Sequence, residues 1–339
     1  KFPITEKIMS DDKIQAPKGL AGVIADQSAI SKVNPATNSL MYRGYPVQEL
    51  CEHRTFLDVA WLLVKGELPD AAAFEAFKKN EQSKRALSNE LKQVIKNFPR
   101  SAHPMDALRS CVSFMGMEDP RIWETDAETN WDKYVRLLAA IPSCIAAIYR
   151  HRKGLEVIEP DTSLDFVPNF FHMMFDEVPD EAVLKAFDIS MILYAEHSFN
   201  ASTFTTRVIT STTSDFYSAI TGGIGALKGP LHGGANEMVM HMMLEIGEAD
   251  KAEKWMLDAL EQKKKVMGFG HRVYRNGDSR VPTMKKAMHD MAAFSGDRKW
   301  VDMSDALEKV MVEKKGIHPN LDFPAGPAYY MMGFDIDFF

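Results

Sequence analysis

Cysteine is scarce in this sequence: Cys51, Cys111 and Cys144 are the only three among 339 residues. They are widely spaced, and each lies in an apolar stretch, so they match neither the paired spacing of a zinc site nor a disulfide framework. We therefore expect three buried thiols in a reducing compartment, which predicts a cytoplasmic protein.

Long apolar runs and excess positive charge are also lacking. No run approaches the roughly 18–20 apolar residues that a membrane span requires. The first four residues lack the charged and apolar regions of a signal peptide, and since residue 1 is not Met we expect the natural N-terminus to lie upstream. The formal net charge of −7 argues against nucleic acid or an anionic membrane surface as a partner.

Several catalytic signatures are missing from the sequence as well. It contains no His-Glu-x-x-His zinc motif, no Gly-x-Ser-x-Gly nucleophile motif and no complete glycine motif for a dinucleotide or a nucleoside triphosphate. If the chain is an enzyme, these absences favour acid–base chemistry without a metal, a permanently bound cofactor or a covalent intermediate.

Helical periodicity dominates what is present, and hydrophobic residues make up 45% of the chain. Thr55 and Asp58 form a capping-box pattern that opens a helix, which Lys65-Gly66 ends. Amphipathic spacing predicts further helices over 180–194 and around 255–260, and another over 131–152 that Pro142 should kink or divide. Strand patterns are limited to 22–25 and 39–42, so we predict a mainly α fold.

Composition changes near residue 229. The preceding stretch, 221–227, is rich in small residues and predicts a helix that packs closely against a neighbour, whereas glycine-rich turns and polar helices follow. We predict a domain boundary at this point. A single continuous helical domain is an equally weighted alternative.

His232 lies in a glycine-rich turn. Gly233 and Gly234 follow it, just before a helix-like run that starts at Ala235. The positive end of a helix dipole favours a neutral imidazole, which can donate a hydrogen bond to a developing oxyanion. A capping or turn histidine is the structural alternative.

His271 follows a second glycine turn, Gly268-Phe269-Gly270. Glycines let backbone N–H groups approach a ligand closely, although this short pattern is a weak phosphate signal. The preceding basic run, 263–265, could attract phosphates, and its simpler interpretation is the solvated end of a helix.

His197 lies within an otherwise apolar stretch that also carries polar residues. If this stretch is helical, one face carries a polar stripe formed by Glu196, Asn200, Thr203 and Arg207. Because buried polar groups need partners, the stripe either joins helices or faces a polar ligand.

Asp322 lies between Leu321 and Phe323 in a proline-rich segment. Apolar neighbours favour desolvation of the carboxylate, which raises its pKa towards that of a useful base. A surface turn is the ordinary alternative. Arg280 is a candidate fork for a carboxylate, or simply an exposed charge.

Taken in order, these segments resemble the citrate synthase family. The matching blocks are Tyr42-Arg-Gly-Tyr45, Ala195-Glu-His-Ser-Phe-Asn-Ala-Ser202, Gly229-Pro-Leu-His-Gly-Gly-Ala-Asn236, Gly268-Phe-Gly-His-Arg-Val-Tyr274 and Pro319-Asn-Leu-Asp-Phe-Pro324. They span nearly the whole chain, and the sequence is most similar to short bacterial members that make 2-methylcitrate or citrate.

The resemblance implies a two-domain, mostly α-helical homodimer. Residues 1–229 would form the large domain with the dimer interface, and residues 230–330 a smaller domain that closes over acyl-CoA. Residues 331–339 would begin a C-terminal return to the large domain. Family members continue beyond this point with two arginines that bind substrate carboxylates, so we expect the sequence to be part of a longer chain.

The resemblance also implies roles for individual residues. Asp322 would remove a proton from the thioester α-carbon, His232 would stabilise the enol or enolate, and His271 would polarise the oxaloacetate ketone. Oxaloacetate would further contact His197, Asn200 and Arg280. Coenzyme A would lie along Lys263, Val266, Met267, Gly268, Phe269 and Gly270.

The acyl group is the open question within the family. Propionyl-CoA would give 2-methylcitrate and acetyl-CoA would give citrate; the resemblance favours propionyl-CoA with acetyl-CoA as a further substrate. The methyl group that distinguishes them is worth only about 1–3 kcal/mol in an apolar pocket. A non-catalytic relative that binds CoA or a dicarboxylate is the alternative from another class, and a metal-dependent hydrolase that uses the histidines is a third.

Overall fold

The computed structural model describes residues 24–34, 36–274 and 276–339. Within these ranges the chain forms fifteen α-helices and one small sheet, which confirms the mainly α prediction. The first eight helices are α1 (Val47–His53), α2 (Phe56–Lys65), α3 (Ala71–Ser83), α4 (Asn89–Lys96), α5 (Pro104–Met117), α6 (Ala127–Lys153), α7 (Phe166–Phe175) and α8 (Glu181–Tyr194). The remaining seven are α9 (Ala201–Thr210), α10 (Phe216–Leu227), α11 (Ala235–Ile246), α12 (Ala252–Glu261), α13 (Val281–Ser295), α14 (Lys299–Lys315) and α15 (Asp322–Met331).

The sheet is a three-stranded antiparallel meander of β1 (Ser31–Asn34), β2 (Ser39–Tyr42) and β3 (Tyr45–Pro46). The predicted strand at 39–42 is therefore confirmed as β2. The predicted strand at 22–25 is not: residues 22 and 23 lie outside the described ranges, and residues 24 and 25 are not in a strand. β2 pairs with Ser31–Asn34 and with β3 instead.

The capping box that opens α2 is confirmed. The backbone N–H of Asp58 donates to Thr55 Oγ1, and the Asp58 carboxylate accepts the N–H of Thr55 at 2.9 Å. Gly66 ends the helix in the left-handed region, with φ of +94°. This local pattern satisfies donors at the N-terminus of the helix and fixes both of its ends.

Of the two effects predicted for Pro142, a kink or a division, the division is wrong: α6 runs unbroken for 27 residues with Pro142 inside it. Its two flanks pack into two different hydrophobic clusters, with Val135 and Ala146 in one and Leu137 and Ala147 in the other. Burial along both flanks offsets the hydrogen bond that proline removes. The predicted helices over 180–194 and 255–260 are confirmed as α8 and within α12.

Helices α9 and α10 pack at very close range, as the small residues of 221–227 predict. A Cβ on Gly222 would lie 2.2 Å from Ile209 Cδ1, and one on Gly223 would lie 2.7 Å from Thr206 Cγ2. The glycines therefore set the distance between the two helices. Of the helices in the described ranges, none is long and apolar enough to cross a membrane.

Three hydrophobic clusters form the interior. The first joins β2, α1, α2, α7 and α8 to α13 and α15. The second lies among α4, α5, α6 and α10, and the third among α11, α12 and α14 with Phe323 of α15. Helices on both sides of residue 229 thus share the first cluster, and the boundary at this residue stays a prediction.

Substituting two glycines of α10 tests the helix spacing. Gly223→Ala should lower the free energy of unfolding by about 1–3 kcal/mol, because Thr206 is β-branched and its Cγ2 cannot move aside without strain. Gly225→Ala in the same helix is the matched control: its Cβ would meet only the Arg109 side chain at 3.8 Å. That control should stabilise the protein by up to about 1 kcal/mol through helix propensity. Urea unfolding measures both variants, and equal effects would contradict close packing.

Candidate active site

Two of the predicted site histidines lie side by side. The ring centroids of His197 and His271 are 5.0 Å apart, and Tyr274 contacts both rings at 5.6 and 4.9 Å. The buried Nε2 of His197 finds no hydrogen-bond partner among the described residues. Because a buried imidazole nitrogen normally has a partner, this atom is free to contact a polar ligand.

His197 lies in a bent segment between two helices, and this corrects the predicted polar stripe. Helix α8 ends at Tyr194 and α9 begins at Ala201, with Ser198 between them in the left-handed region at φ of +59°. The Glu196 carboxylate holds the bend by accepting hydrogen bonds from the Ser198 N–H and from Ser31 Oγ. Glu196 therefore does not share a helical face with Asn200.

Arg280 is buried, and its guanidinium faces Asp278. Its Nε and Nη2 donate to the two carboxylate oxygens of Asp278 at 3.0 and 2.7 Å, so the fork predicted for a substrate is directed at a neighbouring residue. Burial alone would raise the pKa of Asp278, but these bonds and the charge of Arg280 hold that pKa below its ordinary value.

Asp322 is the first residue of α15 and not part of a loop, as the proline-rich segment had suggested. Its Oδ1 accepts a hydrogen bond of 2.7 Å from the hydroxyl of Tyr194, at the end of α8. The N–H of the preceding residue, Leu321, donates to Asp278 at 3.3 Å. This contact connects Asp322 to the ion pair between Asp278 and Arg280.

Burial shifts the pKa values of Asp322, His197 and His271. It raises the pKa of Asp322 to about 6, although the Tyr194 hydrogen bond and the charge of Arg280 both act in the opposite direction. Burial, together with the charge of Arg280, lowers the pKa of His197 to about 3 and lowers that of His271. At neutral pH the site therefore holds two neutral imidazoles and two ionised carboxylates, of which Asp278 is paired with Arg280 and Asp322 is not.

The proton of neutral His271 is placed by the backbone. Its Nδ1 accepts the N–H groups of Val273 and Tyr274 at 3.1 and 3.3 Å. Because a neutral imidazole has one donor and one acceptor nitrogen, its proton lies on Nε2, where it can be donated to a ligand.

His232 lies apart from this cluster, and a backbone N–H also fixes the position of its proton. Its Nε2 lies 3.2 Å from the backbone N of Ser202, which donates to it, and 2.9 Å from the Ser202 hydroxyl. Burial lowers the pKa of the half-buried ring and so favours its neutral form. Because Nε2 accepts the Ser202 N–H, the proton of that neutral form lies on Nδ1. Helix α11 begins at Ala235, which confirms the predicted helix start after the histidine.

Asn200 is the N-cap of α9. Its Oδ1 accepts the Thr203 N–H at 2.9 Å and the Ser202 hydroxyl at 2.8 Å. Its side chain thus orients the residue that contacts His232, and its Nδ2 remains for a ligand. The structure brings His197, His271, Arg280 and Asp322 into one cluster, whereas His232 connects to that region through the start of α9.

The predicted CoA loop packs against the segment that precedes Asp322. Gly268 and Gly270 have φ of about +80°, and a Cβ on Gly268 would lie 2.7 Å from Val239 Cγ2. The Phe269 ring packs against the Phe323 ring, with centroids 4.4 Å apart and the two planes tilted by 52°. Val266 is buried and Lys263 is exposed. A ligand could therefore reach only part of the loop.

Sequence reasoning missed four residues of the site: Tyr194, Ser202, Tyr274 and Asp278. Three of them lie inside or beside the matched blocks, and Asp278 stands two residues before Arg280. An acidic residue two positions before Arg280 was a usable signal of an ion pair between them. The pairing of Tyr194 with Asp322 was not, because 128 residues separate them.

Among the residues that the structure describes, no three His, Cys, Asp or Glu side chains are grouped so that they could hold a metal ion. The site consists of imidazoles, carboxylates, a guanidinium and phenols.

A network of this kind fits an enzyme that moves protons at carbon and oxygen, and comparison with known proteins identifies the class. Residues 19–339 match the family model for the citrate synthase C-terminal domain. The chain therefore belongs to the citrate synthase family, and it is an enzyme of the citrate synthase type.

Individual relatives narrow the comparison. The chain is 52% identical to 2-methylcitrate synthase of Mycobacterium tuberculosis, covering 96% of this chain and 82% of that protein. It is also 52% identical to citrate synthase of Mycolicibacterium smegmatis, covering 95% and 85% respectively. The structure of citrate synthase from Thermoplasma acidophilum, in a ternary complex with carboxymethyl coenzyme A and oxaloacetate, superposes with a TM-score of 0.89. That chain is 27% identical, and the match covers 94% of this chain and 85% of the other.

The stability of an Asp322→Asn variant tests the desolvation of the carboxylate. The folded-state pKa of Asp322 is raised from 3.8 to about 6. Its contribution to stability is therefore most favourable below the unfolded-state pKa and falls as pH rises through the window from about 4 to 6. The neutral amide escapes this loss, so the variant should gain about 2–3 kcal/mol relative to wild type between pH 4 and pH 7.5. Chemical denaturation at each pH measures it.

Asp290→Asn is the matched control, because the Asp290 side chain is 59% exposed. Its stability relative to wild type should stay within about 0.5 kcal/mol over the same range. If the stability of Asp322→Asn relative to wild type also stays constant over this pH range, the Asp322 carboxyl group is solvated and not buried.

Proposed function

We propose that this chain condenses a short acyl-CoA with oxaloacetate and water, releasing coenzyme A and forming 2-methylcitrate from propionyl-CoA or citrate from acetyl-CoA. The observation that carries the proposal is the desolvated carboxylate of Asp322, with a pKa of about 6, in one cluster with neutral His271, while His232 lies apart from it; both histidines have a defined donor nitrogen. Family membership and the ternary complex of the archaeal relative support the choice of substrates.

Asp322 is assigned the first step. Its carboxylate removes a proton from the α-carbon of the thioester, and the electron pair moves onto the thioester oxygen to give an enol or enolate. A pKa near 6 leaves the group ionised at neutral pH and still basic enough to accept a proton. The Nδ1–H of His232 is assigned to the developing oxyanion, since a preorganised neutral donor stabilises charge without transferring its proton prematurely.

The second step joins the two substrates. The enol carbon attacks the ketone carbon of oxaloacetate, and the ketone electrons move to an alkoxide that the Nε2–H of His271 stabilises and protonates. His197 Nε2, the charge of Arg280 and Asn200 Nδ2 are assigned to oxaloacetate oxygens. Water then cleaves the thioester bond of the intermediate, and coenzyme A leaves as the thiol.

Coenzyme A is assigned to the loop from Val266 to Gly270, with Lys263 near its phosphates. Left-handed, partly exposed Gly270 supports this, because a glycine lets a ligand approach the backbone closely, whereas Gly268 is buried against Val239 and Phe323. The site draws residues from both 1–229 and 230–330, which supports two domains that close over the acyl group and exclude water.

The acyl preference is proposed to be propionyl-CoA, with acetyl-CoA also accepted. Relatives of equal identity, 52%, carry the names 2-methylcitrate synthase and citrate synthase. One methyl group changes rates by about 10- to 200-fold, so both substrates should react.

No resident metal or cofactor is invoked in this mechanism, because side chains supply both the base and the oxyanion donors. We also assign the protein to the cytoplasm, and three free, buried cysteines support a reducing compartment.

A homodimer is proposed on the basis of α9. This helix packs on α10, yet none of its residues is buried within the chain. Phe204 and Val208 lie one turn apart on it and are 41% and 51% exposed. An amphipathic helix that buries no residue in its own chain is well suited to bury its apolar face against a second copy.

Thiol release tests the reaction. The protein with oxaloacetate and either acyl-CoA should liberate free thiol, and omission of oxaloacetate should stop it. Asp322→Asn should lower the rate by about 10³-fold or more, since the base is lost, whereas Asp290→Asn should retain it. The ratio of kcat/KM for the two thioesters measures the acyl preference. Full turnover by Asp322→Asn would remove that residue from the base role.

Sedimentation tests the dimer. Phe204→Glu should shift the protein towards monomer, because it places a charge in an apolar interface. Phe294→Glu is the matched control: Phe294, on α13, is 52% exposed, and its substitution should leave the assembly unchanged. A wild-type monomer, or a Phe204→Glu variant that sediments like wild type, would contradict the interface.

A further inference from the structure

We propose that Tyr194 is a positioning residue for the catalytic base: its hydroxyl fixes one oxygen of Asp322, so that the other oxygen is presented to the thioester α-carbon. The inference rests on the proposed role of Asp322 as the base. It adds a residue that the motifs of the family resemblance did not assign.

The geometry of the contact carries the proposal. The Tyr194 hydroxyl donates to Asp322 Oδ1 at 2.7 Å, which is the length of a charge-assisted bond from a hydroxyl to a carboxylate. Tyr194 is the last residue of α8 and Asp322 is the first residue of α15, so both groups are held by helix ends. A single directional bond between two such groups restricts the rotation of the carboxyl group.

The tyrosine acts as a donor throughout the step. Burial and the adjacent Asp322 carboxylate raise the pKa of Tyr194 well above its ordinary value, so the phenol keeps its proton at all pH values at which the enzyme works. When the substrate proton moves to Oδ2, the Tyr194 bond to Oδ1 persists. No proton passes through the phenol, and the residue acts on the substrate only through Asp322.

Other charged and titratable groups around Asp322 do different work. Arg280 lowers the pKa of Asp322 and Asp278 raises it, both through space. Tyr329, on α15 itself, is buried and hydrogen-bonds the side chain of Ser190. Among the residues that the structure describes, it is the side chain of Tyr194 that hydrogen-bonds the Asp322 carboxylate.

Tyr194→Phe tests the inference and keeps the ring in place. Loss of a donor to the ionised carboxylate should move the acid limb of the kcat/KM profile to higher pH by roughly half to one unit. Because Oδ2 is then less well aimed, kcat should fall on the order of 10-fold, while KM for oxaloacetate stays within about 2-fold. Tyr329→Phe is the matched control and should leave the acid limb in place.

A merely structural tyrosine predicts a different result. Tyr194→Phe would then lower stability without moving the acid limb, and that outcome would overturn the proposal. If the variant fails to fold, 3-fluorotyrosine at position 194 retains the ring and hydroxyl but is a stronger donor. Its acid limb should move to lower pH, and an unmoved limb would again overturn the proposal.

A measurement without turnover separates this inference from the proposed reaction. The quantity measured is the difference in unfolding free energy between a protein with Asp322 and the same protein carrying Asp322→Asn, as a function of pH. In the Tyr194→Phe background this difference should change over a pH window higher than the window seen in the wild-type background. If that window moves but Asp322→Asn remains active, the contact is real and the assignment of the base is wrong. If Asp322→Asn is inactive and the window does not move, the reaction stands and the role of Tyr194 is wrong.

Discussion

The ion pair between Asp278 and Arg280 is the interaction on which the site depends. Both side chains are almost fully buried, and a buried charge left without its partner would cost about 3–5 kcal/mol. Burial lowers the pKa of both His197 and His271; Arg280 adds to this effect at both rings, and Asp278 opposes it. Asp278 also accepts the N–H of Leu321, the residue before Asp322. The charges of this pair thus modify the effect of burial on the histidines, and its carboxylate anchors the start of the helix that carries Asp322.

Features set by local rules could be predicted from the sequence. The capping box at Thr55 depends on a residue three positions away, and the close packing of α10 depends on the glycines at 222 and 223. The start of α11 after His232 follows from a glycine turn. The main candidate site residues were predicted from ordered motifs, and the structure gathers His197, His271 and Asp322 around one ion pair.

Features that depend on distant partners could not be predicted. The break between α8 and α9 is stabilised by Ser31, 165 residues before Glu196, so a continuous polar stripe was a reasonable but wrong expectation. Pro142 remains inside α6 because the helix is packed on two flanks, which local propensity does not register. The direction of the Arg280 fork towards Asp278 is likewise a property of the folded interior.

Burial of the cysteines has a consequence for the chemistry of the released product. Cys51, Cys111 and Cys144 are free and buried, and burial raises the pKa of Cys51 to about 12. The native fold therefore presents almost no thiolate to solvent. In the proposed reaction coenzyme A leaves as a thiol, and none of these three cysteines is exposed to attack the disulfide that this product forms on oxidation. Turnover can then proceed amid its own thiol product without forming mixed disulfides.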